Sequence, residues 1–193
     1  NTKPRAHLCN SSREFTLSVL TDYVYLNTDE RMTMSQQDHM FLIEQVQIVS
    51  RESVASSCSM VYLDLPFRHC VKEIIWVIKR SESLTKSMFN YDMLGDSMGQ
   101  SPLKDAKLML NGQARVGQFE SSYYRYLQPY RYHTRVPKKP IFNYSFSIKP
   151  EDIQPTGTCN FSVVETPQLI LNLDNSDLVN ITNTCVSIHC YAR

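Results

Sequence analysis

Gln128-Pro129-Tyr130, His133-Thr134-Arg135-Val136-Pro137, Pro140-Ile141, Tyr144-Ser145-Phe146-Ser147, Pro150-Glu151, Gln154-Pro155-Thr156-Gly157 and Asn160-Phe161-Ser162 mark out the stretch whose reading decides the fold. Between Pro140 and Pro150, Phe142, Tyr144, Phe146 and Ile148 alternate with Asn143, Ser145, Ser147 and Lys149. A period of two predicts a strand from Ile141 to Lys149, the first set facing inward and the second outward. Proline bounds it at both ends, where the missing N–H stops a ladder. The stretch holds no nucleophile–base pair, metal cluster or phosphate loop, so it points to architecture rather than chemistry.

Working outward, seven further segments read as strands. Phe15 to Leu26 begins with Phe15, Leu17 and Val19 on one face and becomes apolar on both around Tyr23 to Leu26. Asn27 with Glu30 three residues on is a capping-box signature, predicting a short helix that ends near His39. Leu42 to Val49 is the second strand. Ser59 to Leu65 is the third, stopped by Pro66. In the fourth, Glu73 to Arg80, Ile74, Trp76 and Ile78 share one face and Ile75 and Val77 the other, which suits a central position.

Ser81 to Pro102 carries turn residues and few strand formers, and reads as a long surface loop. Ala106 to Leu110 is the fifth strand, ended by the turn Asn111-Gly112. Residues 113–140 read as a second long excursion before the sixth strand, Ile141 to Lys149. Leu169, Leu171 and Leu173 face one way in the seventh, turned back at Asp174 to Asp177. The eighth sets Val186, Ile188 and Cys190 against Ser187, His189 and Tyr191. Eight antiparallel strands with long connections and almost no helix predict an all-β jelly-roll sandwich with a short helix after the first strand. An up-and-down barrel would need short, even hairpins, and the two excursions argue against it.

The 193 residues suffice for one domain or at most two small ones. A net charge of +1 gives no bulk electrostatic reason for nucleic-acid binding. Eleven tyrosines and eight phenylalanines against five glycines favour strands. No run of about 18 apolar residues occurs, which reads against a membrane-spanning helix. The cysteines at 9, 58, 70, 159, 185 and 190 are irregularly spaced and read as free thiols. The sequons at Asn10, Asn143, Asn160 and Asn180 read as incidental. The chain opens at Asn1 and stops directly after a strand pattern, which reads as a piece of a longer polypeptide.

Candidate chemistry is sparse. His189, Cys190 and Cys185 come nearest to a metal cluster, but their spacing matches no zinc pattern and neighbouring strand residues point to opposite faces. Asp22 and Asp64 interrupt apolar strands without pairing as acid and base, and no G-x-S-x-G is present. Tyr123 to Lys139 carries Arg125, Arg131, Arg135, Lys138 and Lys139 with no acid, interleaved with five tyrosines. Such a mixture suits a single-stranded nucleic-acid platform, but arginine and tyrosine are also enriched at protein interfaces. With charge balanced overall, the interface reading is preferred.

Five landmarks then carry a resemblance. They are Asp22 to Arg31, Phe41 to Gln47, Val71-Lys72-Glu73-Ile74-Ile75-Trp76, Leu110-Asn111-Gly112 with Tyr123-Tyr124-Arg125, and Gln128 to Ser162. Their identity and order resemble the second jelly roll of the major capsid proteins of large icosahedral DNA viruses, the iridovirus, phycodnavirus and mimivirus group. Two departures stand out: Arg68-His69-Cys70 where that family often has asparagine-histidine-proline, and Thr156 where serine is common.

The resemblance implies a non-catalytic shell protein with no cofactor or metal. It implies that residues 1–193 form a single jelly-roll domain, the C-terminal half of a double jelly roll whose first half precedes Asn1 and whose last strand or tail follows Arg193. It further implies homotrimers forming pseudo-hexagonal capsomers of an icosahedral double-stranded DNA virus. Neighbouring capsomers and minor capsid proteins would be the partners, with no direct nucleic-acid binding and no membrane span. The site would be the virion capsid, assembled in host cytoplasm. The Ser81–Pro102 and Gln113–Pro140 excursions would carry outer-surface or inter-subunit contacts, with Arg125, Tyr130, Arg131 and Arg135 as the candidate subunit-interface residues. The alternatives are a carbohydrate-binding, lectin-like jelly roll using Tyr130 and Tyr132, and a cupin-like enzyme with metal ligands inside the barrel.

Overall fold

A computed structural model of the chain describes residues 18–54, 58–80, 91, 101–174 and 186–193. Two units form, Asn1–Leu42 and Ile43–Arg193. In the first, helix α1 spans Thr28–Gln36 behind the capping box read from sequence. Asn27 Oδ1 accepts from Thr28 N at 2.7 Å, and Glu30 Oε2 accepts from Asn27 N at 3.1 Å. Asp29 and Glu30 in the first turn also suit the helix dipole.

The second unit is built of strands: β1 (Gln47–Val54), β2 (Met60–Asp64), β3 (Cys70–Val71), β4 (Glu73–Arg80), β5 (Leu103–Leu110), β6 (Gln113–Glu120), β7 (Ile141–Ser145), β8 (Cys159–Asn160), β9 (Gln168–Leu173) and β10 (Val186–Ala192). Two four-stranded sheets run in the orders β1-β10-β4-β7 and β2-β9-β5-β6, and β3 pairs with β8 in a small ladder. Every pairing among the described strands is antiparallel. Each strand before the Asn111-Gly112 turn has a mate after it, nested from β5:β6 outward through β4:β7, β3:β8 and β2:β9 to β1:β10. That nesting, divided between two facing sheets, is the jelly-roll arrangement.

One alternate set from each sheet fills the space between them: Ile74, Trp76, Ile78, Phe142 and Ile188 from one, Leu108, Leu169 and Leu171 from the other. Each such side chain contributes roughly 1.5–3 kcal/mol by leaving water. As predicted, β4 lies in the interior of its sheet with Val77 buried on its second face. Cys190 is fully buried on β10, opposite in facing to the part-exposed His189. Cys58, Cys70, Cys159 and Cys190 are free thiols.

Several expectations need correction. Residues 18–26 enter no ladder, so the predicted first strand is not formed there; residues 15–17 lie outside the described residues. Its apolar run carries strand propensity, but propensity without a hydrogen-bonding mate does not make a strand. The second strand begins at Gln47 rather than Leu42, where the register with Ala192 begins. Helix α1 stops at Gln36, short of His39. Gln113–Glu120, expected within an excursion, is strand β6. The sixth predicted strand ends at Ser145, Ile148 is 69% exposed, and Asn143, Ser145 and Ser147 are buried rather than outward in solvent. The Ser81–Pro102 loop lies outside the described residues apart from Tyr91, Ser101 and Pro102, as do residues 175–177 of the predicted turn.

Two departures from the family pattern have defined places. His69 takes a left-handed φ of 66°, its N–H donating to Ser162 Oγ at 2.7 Å and its carbonyl accepting from Phe161 N at 2.9 Å. Thr156 Oγ1 accepts from Lys149 N at 2.8 Å and lies 2.7 Å from Ser147 Oγ, closing the loop after β7.

Candidate functional site

β6 and β7 are edge strands of opposite sheets, and residues 121–140 connect them. The connection begins as a π-helical turn, Tyr123–Leu127, which runs into helix α2, Gln128–Tyr132. The widened turn is closed by Gln128 N donating to Tyr123 O, and Pro129 occupies the first helical turn of α2 where its missing N–H costs nothing.

Two side chains anchor the segment. Tyr124, 1% exposed, meets Trp76 edge-on, and its hydroxyl donates to Ala106 O at 2.9 Å. Burial, with Tyr123 and Tyr144 close by, holds its phenol well above the ordinary value. Gln128 is equally buried: its Nε2 donates to Tyr123 Oη at 2.8 Å and its Oε1 accepts from Ser145 N at 3.3 Å. The same segment reaches the polar face of β7, where the Asn143 amide lies 2.5 Å from His133 Nε2 at the end of α2.

Anchored thus, the segment presents an apolar surface. Phe119 stacks on Tyr123 with centroids 4.5 Å apart, and Phe119, Tyr126, Leu127, Tyr130 and Val136 are exposed. A shallow depression of about 450 Å³ is lined by Ser122, Tyr123, Tyr126, Leu127, Tyr130 and Val136. Basic groups surround it. The Arg125 guanidinium lies 4.9 Å from the Tyr126 ring centre, and one of its nitrogens donates to Lys138 O at 3.3 Å. Arg131 lies 5.6 Å from the ring of Tyr132. Arg131 and Arg135 are exposed, and Tyr130 is 78% exposed. Nearby, Tyr91 takes Lys79 at 5.2 Å and Lys139 at 5.8 Å, and burial raises its phenol.

Of the four residues singled out from sequence, Tyr130, Arg131 and Arg135 stand in solvent and Arg125 is half-buried. Sequence reasoning missed Phe119, Tyr126, Leu127 and Val136. Tyr126, Leu127 and Tyr130 recur at helical rather than strand spacing, which was the available signal. A nucleic-acid platform needs open ring faces. Here Tyr124 is buried, Tyr123 is stacked on Phe119, and Arg125 covers Tyr126. Among the described residues no group of His, Cys, Asp and Glu is placed to hold a metal ion, and no helix is long and apolar enough to cross a membrane. The sandwich interior, where cupin-type ligands would converge, is filled by Trp76, Phe142 and aliphatic side chains.

Residues 30–191 match the family model described as large eukaryotic DNA virus major capsid protein. The major capsid protein of Pyramimonas orientalis virus is 35% identical over 84% of this chain and 42% of that protein. That of Phaeocystis pouchetii virus is 29% identical over 89% of this chain and 49% of that protein. The chain spans about half the length of the curated relatives it matches. Among solved structures, the PBCV-1 virus capsid quasi-atomic model superposes with a TM-score of 0.68 at 25% identity, covering 88% of this chain and 51% of that one. The Faustovirus major capsid protein shares the fold, with a TM-score of 0.57 at 12% identity over 76% of this chain and 32% of that one.

Proposed function

The chain belongs to the family of large eukaryotic DNA virus major capsid proteins, and from that premise we propose that it builds a viral shell by self-association. In this reading residues 1–193 are the C-terminal jelly roll of a double jelly-roll subunit. Three subunits form a pseudo-hexagonal capsomer, and capsomers tile an icosahedral shell with minor capsid proteins, assembled in the host cytoplasm.

The observation that carries the reading is the apolar surface on the Tyr123–Tyr132 segment. Tyr126, Leu127 and Tyr130 are large, solvent-facing and mounted on a segment pinned through Tyr124 and Gln128. Rigid aromatic anchors ringed by arginine are what association surfaces use, because little conformational freedom is lost when they are covered. Arg125, Tyr130, Arg131 and Arg135 are the proposed subunit-contact residues.

Sedimentation of the full-length protein tests this. A trimer is expected, weakened by Tyr130→Ala combined with Arg131→Glu. A wild-type protein that stays monomeric at high concentration would overturn the assembly reading. Glycan binding abolished by Tyr130→Ala would instead favour the lectin-like reading.

A further inference from the structure

A polar cluster on the outer face of the β1-β10-β4-β7 sheet lies directly beneath the segment just described. Glu73 opens β4 and is 1% exposed. His133, which ends α2, reaches down to it with Nε2 3.1 Å from Glu73 Oε2. On its other side, His133 Nδ1 lies 3.3 Å from Glu151 Oε1, which also accepts from Thr134 N at 3.2 Å and Thr134 Oγ1 at 3.3 Å. The Asn143 amide on β7 lies 2.5 Å from Nε2. Behind Glu73, Arg193 Nη1 stands 3.6 Å from Oε1 while its Nη2 holds Glu44 at 2.7 Å, and Lys72 pairs with the other oxygen of Glu44.

We propose that His133 is a proton-operated latch: protonated, it ties the Tyr123–Val136 surface to Glu73 and Glu151, and deprotonated, it lets that surface loosen. The doubly protonated ring has two N–H donors, and each ring nitrogen lies within 3.3 Å of a carboxylate oxygen, although the Nε2 contact with Glu73 is an ion pair rather than an aligned hydrogen bond. A neutral ring keeps one donor. With the proton retained on Nδ1 for Glu151, Nε2 turns a lone pair toward Glu73 and accepts from the Asn143 amide instead. Glu73 then stays buried with Arg193 as its remaining cation of the cluster, a costly arrangement for a carboxylate.

The charged ring is the favoured one. The neighbouring Glu73 carboxylate is the main cause that raises the His133 pKa above its ordinary 6.5, against the opposing effect of burial. The latch therefore contributes fully below pH 6.5 and is lost as pH rises through the raised folded value. Glu151, held below its ordinary 4.5 chiefly by the Thr134 N–H, contributes above 4.5 and fails on acidification. The segment is thus held most firmly between these limits and opens on the alkaline side.

The consequence for assembly rests on the proposed function, but the latch itself does not. The test is amide hydrogen exchange of the full chain at about pH 6 and about pH 9, corrected for intrinsic rates, with a histidine NMR titration. His133 is expected to titrate above 6.5, with protection over residues 123–136 falling about tenfold across that titration. His133→Gln should lack this pH step, and Glu73→Gln should lower the His133 midpoint. A wild-type midpoint at or below 6.5, or protection of 123–136 that ignores pH, overturns the latch; neither reading depends on a variant folding. A monomeric protein with the pH step refutes assembly alone, and an assembling protein without it refutes the latch alone.

Discussion

Trp76 and Tyr124 meet edge to face, their ring centroids 5.1 Å apart and their planes at 62°. Trp76 belongs to one sheet, and the Tyr124 hydroxyl donates to Ala106 of the other, so a residue of the connecting segment joins both layers. Tyr124→Phe leaves the Ala106 carbonyl without this donor and is expected to cost about 1–3 kcal/mol. Tyr124→Ala opens a cavity beside Trp76 and should cost about 3–5 kcal/mol. Urea unfolding of both variants checks the order.

Tyr130→Ala has the opposite profile. With 78% of Tyr130 in solvent, its unfolding free energy should move by less than about 0.5 kcal/mol. Association of the full-length protein should nevertheless weaken by about tenfold or more, as for an aromatic interface anchor. Sedimentation equilibrium beside thermal unfolding separates the two effects, and equal losses in both would remove Tyr130 from the interface.

Acidification should release Glu151. Its carboxyl is held below 4.5 first by the Thr134 N–H and then by the Thr134 hydroxyl and His133. A lowered folded pKa means stability present above 4.5 and lost as pH falls through the folded value. Glu151→Gln is expected to flatten part of the acid limb of a melting-temperature profile. Glu44, lowered by Lys72 and Arg193, keeps the remainder.

Gly157→Ala should destabilise. Gly157 has φ 149°, and a Cβ there would stand 3.0 Å from Phe146 O, a backbone atom that cannot rotate aside. About 1–3 kcal/mol is expected from strain at such a position. Gly112→Ala provides the contrast: its φ is 75° but the space around it is open, so only the backbone term of about 1 kcal/mol applies. Denaturant midpoints of the two variants give the comparison.

Much of the sandwich was legible because single-faced burial leaves a period of two. β4 was bounded correctly from Glu73 to Arg80, and the inward sets of β9 and β10 were the buried ones. β6 was not legible. Its register slips between Ala106 opposite Phe119 and Leu108 opposite Val116, so an extra residue near Gly117 breaks the alternation. The Asn111-Gly112 turn, with φ values of 51° and 75°, was the clue that a mate must follow β5. On β7 the alternation held only as far as Ser145, and the polar residues on its second face meant a helix above rather than water. Gln128 and His133, which satisfy that face, come from sequence positions that no periodicity links to it. The arginines and Tyr130 of the candidate surface could be picked out by composition. Tyr126 and Leu127 share a helical spacing with Tyr130, but that spacing alone does not specify the π-helical turn that exposes them.

The nested mating of strands around Asn111-Gly112 sets an order in time. β5 and β6 need close only a two-residue turn, an event of microseconds. Once they pair, the chain left to be closed before β4 can meet β7 is shorter, and the same holds for each outer pair. Gln47 and Ala192, mates at the far end of the nest, are the most distant strand partners among the described residues and should come together last. Pulse-labelled exchange during refolding should find β5 and β6 protected before β1 and β10. A newly made subunit would then keep β1 and β10 unpaired until the core beneath them is formed.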